Sequence, residues 1–205
     1  MRDDIGDDAS ERQARAHIVV NTQHVSAQAL IDLSLRKCRP KWATVRASGH
    51  DLIPHVKLWS FWSLYKAETV IRVCADNPFI DPDEIDRLVT FFESNDCDYA
   101  CNHQNRLDSN YADGFGAEIF SFNLLQKINI LAKDFKHREH ITLYLWDNKT
   151  QFIMMSVPAP EHLRYPDLRF DIDLPEDKDK MELIVNNGAT IESSAHEIIE
   201  LFFSS

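Results

Sequence analysis

Two strand-to-helix junctions constrain the fold of this 205-residue chain more than any other feature. In the first, the apolar run 70–73 leads into Asp76, and in the second, the run 168–172 leads into Asp173. Each aspartate stands just before a proline that can begin a helix, so each lies at the carboxyl end of a predicted strand. Open α/β sheets bind their ligands at this edge. Two or three carboxylates that meet there would form a site for a hard cation such as Mg²⁺, facing phosphate groups.

Apolar runs of strand length alternate with amphipathic segments of helix length along the chain. The clearest helix start has Asp81 as a cap, Pro82 at the first helical position and Glu84 three residues after the cap. The alternation predicts an α/β fold with three layers and a mainly parallel sheet, formed by one domain over residues 17–205. Strands are predicted at 17–21, 43–46, 70–73, 99–101, 117–120, 152–157 and 168–172. Helices are predicted after Ser26, Asp51, Asp81 and Ser121, over 137–147, from Pro175 to Gly188, and after Ser194.

Charge and composition exclude several classes of function. The chain has 33 acidic and 22 basic residues, which gives a net charge of −11 and would repel a nucleic-acid backbone. No apolar run approaches the roughly 20 residues of a membrane-spanning helix, so no membrane partner is expected. Four cysteines without a signal peptide or a paired spacing indicate reduced thiols in a cytoplasmic protein. The polar stretch 1–16 is expected to be a disordered tail.

Four stretches in register resemble one known family. They are VIRVCADNPFIDP at 70–82, YADGFGAEIFSF at 111–122, REHITLYLWDN at 138–148 and LRYPDLRFDIDLPED at 163–177. In sequence and spacing they resemble the cytidylyltransferase-like sugar nucleotidyltransferases, which include the spore-coat polysaccharide biosynthesis protein F type and the synthetases of CMP-activated acidic sugars. The resemblance implies a glycosyltransferase-A-like fold, CTP and a sugar as substrates, Mg²⁺ as cofactor, a homodimer, and a CMP-sugar and pyrophosphate as products.

The resemblance also implies roles for individual residues. Asp76 and Asp173 match the metal ligands, and Asp171 is a third candidate because alternate residues of a strand share a face. Substrate contacts are implied for the long polar loop 102–116 and its flanks, and a carboxylate- or phosphate-binding catalytic role for Arg138. The substrate-binding candidates are Asn102, Asp113, Gly114, Glu118 and His140. Helix capping by Asp76 and Asp173, and an ordinary turn and strand at 113–118, remain open alternatives.

The front of the sequence departs from the family. The family begins with a strand and a basic, glycine-rich loop that holds the triphosphate, and no such loop occurs in this sequence; the run 17–21 matches the family's second strand. We therefore expect a nucleotidyltransferase fold without its first strand, loop and helix. We expect strand 17–21 to pair directly with strand 70–73, unless another chain fills the gap. An alternative to the enzyme follows: a truncated, inactive relative that serves as a binding or assembly partner, or a gene fragment.

Overall fold

The sheet has six strands in the described part of the chain. The structure is a computed structural model, and it describes residues 17–22, 42–47, 68–74, 76–140 and 142–204. The strands are β1 (His17–Thr22), β2 (Trp42–Ala47), β3 (Thr69–Cys74), β4 (Tyr99–Cys101), β5 (Glu118–Ser121) and β6 (Met154–Ser156). Across the sheet they follow the order β2-β1-β3-β5-β4-β6.

Most neighbouring strands run parallel, as predicted. β1 is parallel to β2 and β3, and β4 is parallel to β6, whereas β5 runs antiparallel to both β3 and β4. The expected closure of the sheet is confirmed, because β1 lies directly beside β3 with Val19 opposite Ile71. The tail 1–16 and the helices predicted after Ser26 and Asp51 lie outside the described residues.

The helices cover both faces of the sheet and form the predicted three layers. The α-helices are α1 (Pro82–Ser94), α2 (Phe122–Leu131), α3 (Phe135–Glu139), α4 (Leu143–Asp147), α5 (Pro175–Asn186) and α6 (Ala195–Phe203), with 3₁₀ turns at Lys149–Gln151 and Glu161–Leu163. On one face, Ile71 and Val73 belong to a buried apolar cluster with α1, α5 and α6. On the other face, Val70 belongs to a second cluster with α2 and α4. The alternation of side chains along β3 therefore supplies both cores.

Asp81 joins two helices. As predicted, it caps α1: its Oδ1 accepts a hydrogen bond from the backbone N–H of Asp83 at 2.9 Å, and Pro82 begins the helix. The structure adds a second bond, because Oδ2 accepts from the buried N–H of Ala195, the first residue of α6, at 2.8 Å. One carboxylate thus satisfies donors at the amino ends of α1 and α6, which are far apart in sequence.

Loss of this shared cap is expected to be costly. Asp81→Ala should lower the free energy of unfolding by about 2–4 kcal/mol, since it removes a cap and leaves the buried N–H of Ala195 without an acceptor. Urea unfolding of the two proteins measures the difference. Asp83→Ala, in the exposed first turn of the same helix, is the matched control and should change stability by less than about 1 kcal/mol. Equal losses in the two variants would contradict the double role of Asp81.

One predicted helix is interrupted. Residues 137–147 were expected to form a single helix, but the structure has two short helices, α3 and α4, on either side of 140–142. The backbone N–H of His140 bonds to Lys136 O at the end of α3, and Thr142 is the residue that precedes α4. Thr142 directs its hydroxyl to the buried carboxylate of Glu118. The break between α3 and α4 is therefore accompanied by a tertiary hydrogen bond from Thr142 to Glu118.

One further prediction needs correction, and one loop, predicted as such, is more deeply packed than its composition indicates. The strand expected at 168–172 is an extended segment, and its only bridge in the described residues joins Arg169 to Asp113. The loop 102–116 is less polar in its packing than its sequence indicates, because Tyr111 and Phe115 are fully buried. This loop is therefore anchored in the core rather than lying free over the sheet edge.

No helix within the described ranges is both long enough and apolar enough to cross a bilayer.

Candidate functional site

The extended segment 168–172 brings four carboxylates to one place. The N–H of Phe170 bonds to the carbonyl of Asp113 at 3.0 Å, and the N–H of Ile172 bonds to the carbonyl of Asp76 at 2.8 Å. These backbone bonds place Asp171 and Asp173 beside Asp76, just beyond the carboxyl end of β3, and beside Asp113 in the loop. We call Asp76, Asp113, Asp171 and Asp173 the acidic cluster. The sequence prediction that the two junctions meet at one sheet edge is thus reproduced in the backbone.

Arg169 lies among these carboxylates. Its Nε donates to Asp171 Oδ1 at 3.0 Å, and its Nη2 donates to Asp171 Oδ2 and, at 2.8 Å, to Asp173 Oδ2. Nε also lies 3.9 Å from Asp113 Oδ2. The hydrogen bonds that Arg169 donates to Asp171 and Asp173 raise its pKa. Asp171 and Asp173 do converge on a shared cation, as expected for alternate residues of an extended chain, but that cation is Arg169.

Asp76 is the member of the acidic cluster with which Arg169 forms no ion pair in the described residues. Its Oδ1 is buried and has no hydrogen-bond partner among the described residues. Burial raises the pKa of Asp76, and the charges of Asp173 and Asp171 raise it further, whereas a hydrogen bond from its own backbone and the charge of Arg72 partly oppose the rise. A buried carboxylate oxygen without a donor is energetically unfavourable unless a cation binds it. Perturbed carboxylates of this kind are typical of functional sites.

The donor set fits Mg²⁺ as two carboxylates rather than as a complete cage. In the described residues, no group of three or more His, Cys, Asp or Glu side chains is arranged to hold a metal ion. Mg²⁺ is commonly bound by one or two carboxylates together with substrate phosphates and water. Asp76, through its unpartnered oxygen, and Asp173, through its exposed carboxylate, meet that requirement. Asp171 uses both oxygens for Arg169, and its role as a metal ligand stays a prediction.

Asp113 is a buried member of the cluster with a strongly raised pKa. Burial raises its pKa to about 7, and the charges of Asp171 and Asp76 add to this while Arg169 opposes it. The carboxyl group therefore takes up a proton on folding between about pH 4 and pH 7. Protonated Asp113 therefore contributes to the stability of the fold at acidic pH, and this contribution is lost as the pH rises through 7.

Asp113→Asn should accordingly stabilise the metal-free protein at pH 8 and have little effect near pH 4. The amide keeps the shape of the side chain and removes the charge that burial and Asp171 oppose. Thermal unfolding in a chelating buffer from pH 4 to pH 8 measures the difference from wild type. Asp108→Asn, in the exposed part of the same loop, should show no such trend. A destabilisation by Asp113→Asn that is equal at every pH would contradict the prediction.

Glu118 is the centre of a second polar network, on the Val70 side of the sheet. It lies opposite Arg72 in the β3–β5 pairing, and Arg72 Nη1 is 2.5 Å from its Oε2. Tyr99 donates its hydroxyl to Oε1 at 2.6 Å, and Thr142 donates to the same oxygen at 3.1 Å. Arg106 Nη1 lies farther away, at 3.9 Å. We call Glu118 and these partners the Glu118 network.

At neutral pH, Glu118 is charged and the neighbouring His103 is neutral. Burial alone would raise the pKa of Glu118, but Arg72, with the other donors, lowers it to about 2. Burial lowers the pKa of the neighbouring His103 to about 4, so its ring is neutral at pH 7. The Arg106 guanidinium lies 4.5 Å from the centre of the Trp146 ring. The network joins β3, β4, β5 and the start of α4.

Comparison with known proteins gives a consistent result. No family model matches the chain. Over 140 residues it is 31% identical to the spore coat polysaccharide biosynthesis protein SpsF of Bacillus subtilis, covering 66% of this chain and 55% of that protein. Its fold is similar to that of a cytidylyltransferase from Leptospira borgpetersenii, with a TM-score of 0.79 and 17% identity over 93% of this chain and 94% of the other. It is also similar to CMP:2-keto-3-deoxy-manno-octonic acid synthetase complexed with CTP, with a TM-score of 0.55 and 10% identity over 85% and 100% of the two chains.

In sequence and in fold, the chain is similar to the cytidylyltransferase-like family. The family resemblance of the four sequence stretches is thereby confirmed, and so is the α/β fold class. This cytidylyltransferase-like chain spans about half the length of the curated relatives it matches.

Several predicted substrate contacts of this cytidylyltransferase-like protein also have structural roles. The Asn102 amide, fully buried, donates to Glu84 O at 2.7 Å and accepts from Ala117 N at 2.9 Å. Gly114 has φ +111°, and a Cβ there would lie 2.9 Å from the carbonyl carbon of Phe170. Glycine therefore lets the loop approach the segment that carries Asp171. These contacts explain both residues structurally, and their part in substrate binding stays a prediction.

Arg138 and His140 lie apart from these contacts. Both belong to α3 or its carboxyl end, and α3 packs against α4. In the described residues no ion pair joins Arg138 to the acidic cluster. Lys136 and His137, on the same helix, bind Asp147 of α4 instead. The catalytic role of Arg138 and the substrate role of His140 therefore remain predictions.

Two arginines of the site were not anticipated. Arg169 could have been found from its spacing, because Arg169, Asp171 and Asp173 alternate along an extended segment and so share a face. Arg72 had no local signal, since its partner Glu118 is 46 residues away. Sequence reasoning identified the acidic side chains and missed the cations that neutralise them.

Proposed function

We propose that the chain is a nucleotidyltransferase that transfers the cytidylyl group of CTP to a sugar, for the synthesis of a surface polysaccharide. The observation that carries the proposal is the meeting of Asp76 and Asp173 at the carboxyl edge of the sheet, with a buried Asp76 oxygen that lacks a partner. The similar proteins support this proposal: one relative is a spore coat polysaccharide biosynthesis protein, and two proteins of similar fold are a cytidylyltransferase and a CMP-sugar synthetase in complex with CTP.

In this reaction a sugar hydroxyl forms a bond to the α-phosphorus of CTP. The bond from that phosphorus to the pyrophosphate oxygen breaks, and the hydroxyl proton passes to solvent. A Mg²⁺ ion held by Asp76 and Asp173 would supply positive charge to the triphosphate oxygens. The chain's own residues bind and orient: Asp76 and Asp173 would hold the ion that faces the triphosphate, and the loop 102–116 would receive the sugar.

Calorimetric titration with CTP, in the presence and absence of Mg²⁺, tests the proposal most directly. Micromolar binding that requires Mg²⁺, followed by release of pyrophosphate with acidic sugars as acceptors, is the expected result. Replacing CTP with ATP, GTP or UTP tests the base. If no nucleoside triphosphate binds, the proposal is wrong, and the alternative of an inactive relative that acts as a binding or assembly partner is favoured.

A further inference from the structure

Arg169 makes two contacts of different strength within the acidic cluster. Its bond to Asp171 is bidentate, through Nε and Nη2, and the Asp171 side chain is only 8% exposed. Its bond to Asp173 is single, and both side chains are largely exposed, 58% for Arg169 and 55% for Asp173. A bidentate pair with a buried carboxylate is costly to break, whereas an exposed single contact is worth little. Arg169 is thus anchored by Asp171 and held only weakly by Asp173.

The main chain of Arg169 is also fixed. Lys180 Nζ donates to the Arg169 carbonyl and lies 4.8 Å from the centre of the Phe170 ring and 5.0 Å from that of Phe202. The backbone N–H groups on either side of Asp171 bond to Asp113 and Asp76. The backbone that carries the guanidinium is therefore held in place. The outer N–H groups of the guanidinium can change hydrogen-bond partners without movement of the segment.

We propose that Arg169 is a positioning residue that exchanges an aspartate for a phosphate. In the metal-free protein its guanidinium neutralises Asp173. When a divalent cation binds Asp76 and Asp173, the guanidinium gives up Asp173, stays anchored on Asp171 and binds the triphosphate oxygens beside the cation. Arginine suits this role because its planar group presents five N–H donors, and in the described residues Nη1 donates to no side chain. The inference rests on the proposed function and assigns Arg169 to the same site.

The exchange predicts effects of opposite sign on two ligands. In Arg169→Gln, the cluster loses its competing cation, so Mn²⁺ alone should bind about three- to tenfold more tightly. Mg²⁺-dependent CTP binding should weaken by at least about tenfold, because a charge-assisted contact to phosphate is lost. Mn²⁺ binding is measured without nucleotide from the electron paramagnetic resonance signal of the free ion, and CTP binding by calorimetry. A merely structural role would weaken both.

Two further variants make the test decisive. Arg87→Gln removes another half-exposed arginine, whose contact is Glu84 in α1, and should leave both affinities unchanged. Arg169→Lys keeps a positive charge but cannot reproduce the two-nitrogen contact, so it should bind Mn²⁺ as wild type does and CTP at least about threefold more weakly. This variant decides the question if Arg169→Gln does not fold.

The outcomes distinguish a failure of this inference from a failure of the proposed function. Wild-type CTP binding that neither Arg169 variant weakens would overturn the inference and leave the proposed function intact. Loss of both Mn²⁺ and CTP affinity in Arg169→Gln, with a lower melting temperature, would also overturn it, since Arg169 would then be structural. Wild-type protein that binds Mn²⁺ but no CTP would overturn both.

Discussion

Asp76→Asn should lose Mg²⁺-dependent CTP binding and nucleotidyl transfer almost completely, while making the metal-free protein more stable. Outer-shell partners of metal ligands alone contribute about 10–100-fold in affinity, so removal of a ligand should cost at least about 100-fold. The stability gain follows from the same side chain. Burial and the charges of Asp173 and Asp171 raise the pKa of Asp76, and its Oδ1 has no partner within the described structure.

The sign of the stability effect depends on pH. Because the pKa of Asp76 is raised on folding, its unfavourable contribution appears as the pH rises above the unfolded value. Asp76→Asn should therefore raise the melting temperature at pH 8, by an amount that reflects about 1–3 kcal/mol, and should have no effect near pH 3. Calorimetric titration and thermal unfolding in a chelating buffer give the two readings.

Asp167→Asn is the matched control for this prediction. Asp167 is exposed and lies close in sequence to the acidic cluster, so its replacement should change neither reading. An Asp76→Asn protein that binds CTP as wild type does would remove the central support of the proposed function. A destabilised Asp76→Asn protein at pH 8 would instead show that Asp76 has a structural partner in the metal-free state.

Glu118→Gln should destabilise the fold by about 3–5 kcal/mol, because it leaves the buried guanidinium of Arg72 without its counter-charge. The amide oxygen can still accept hydrogen bonds from Tyr99 and Thr142. The loss of stability therefore measures the effect of removing the charge rather than that of removing these hydrogen bonds. Chemical denaturation at pH 7 measures the effect. Glu118 was predicted as a substrate contact, and this experiment tests the structural role that its burial gives it.

A double-variant cycle separates the ion pair from general damage at the site. Arg72→Met alone should also destabilise, because it leaves the Glu118 carboxylate buried and charged. Combined with Glu118→Gln, it should recover about 1–3 kcal/mol relative to the sum of the single effects. Strict additivity would show that the two side chains do not depend on one another, despite the 2.5 Å contact.

Features encoded within a few residues were predictable from the sequence. Asp81, Ser121 and Ser194 cap their helices as the local pattern predicts, because the donor and acceptor of each cap are at most three residues apart. The strand at 99–101 is correct to the residue. The direct pairing of β1 with β3 was predicted from topology. Without the first strand of the family, no other strand was expected between these two parallel strands.

Features that depend on distant residues were predicted wrongly or missed. The segment 168–172 has the composition of a strand, but only Arg169 and Asp113 form a bridge, so it never becomes a ladder. The helix predicted at 137–147 is interrupted at 140–142, where Thr142 bonds to Glu118. In the first example the described residues supply a single bridge, and in the second a contact with a distant residue accompanies the break.

The sequence by itself therefore determined the type of most described elements, the caps that begin several helices and the edge of the sheet at which the aspartates collect. Only the tertiary structure decided which charges meet. Arg72 pairs with Glu118 across 46 residues, and Asp81 bonds to Ala195 across 114. The physical reason is range: strand periodicity and helix capping act over a few residues and leave a pattern in the sequence. Ion pairs and shared caps depend on how the packed elements lie in space, and nothing in the neighbouring residues specifies their partners.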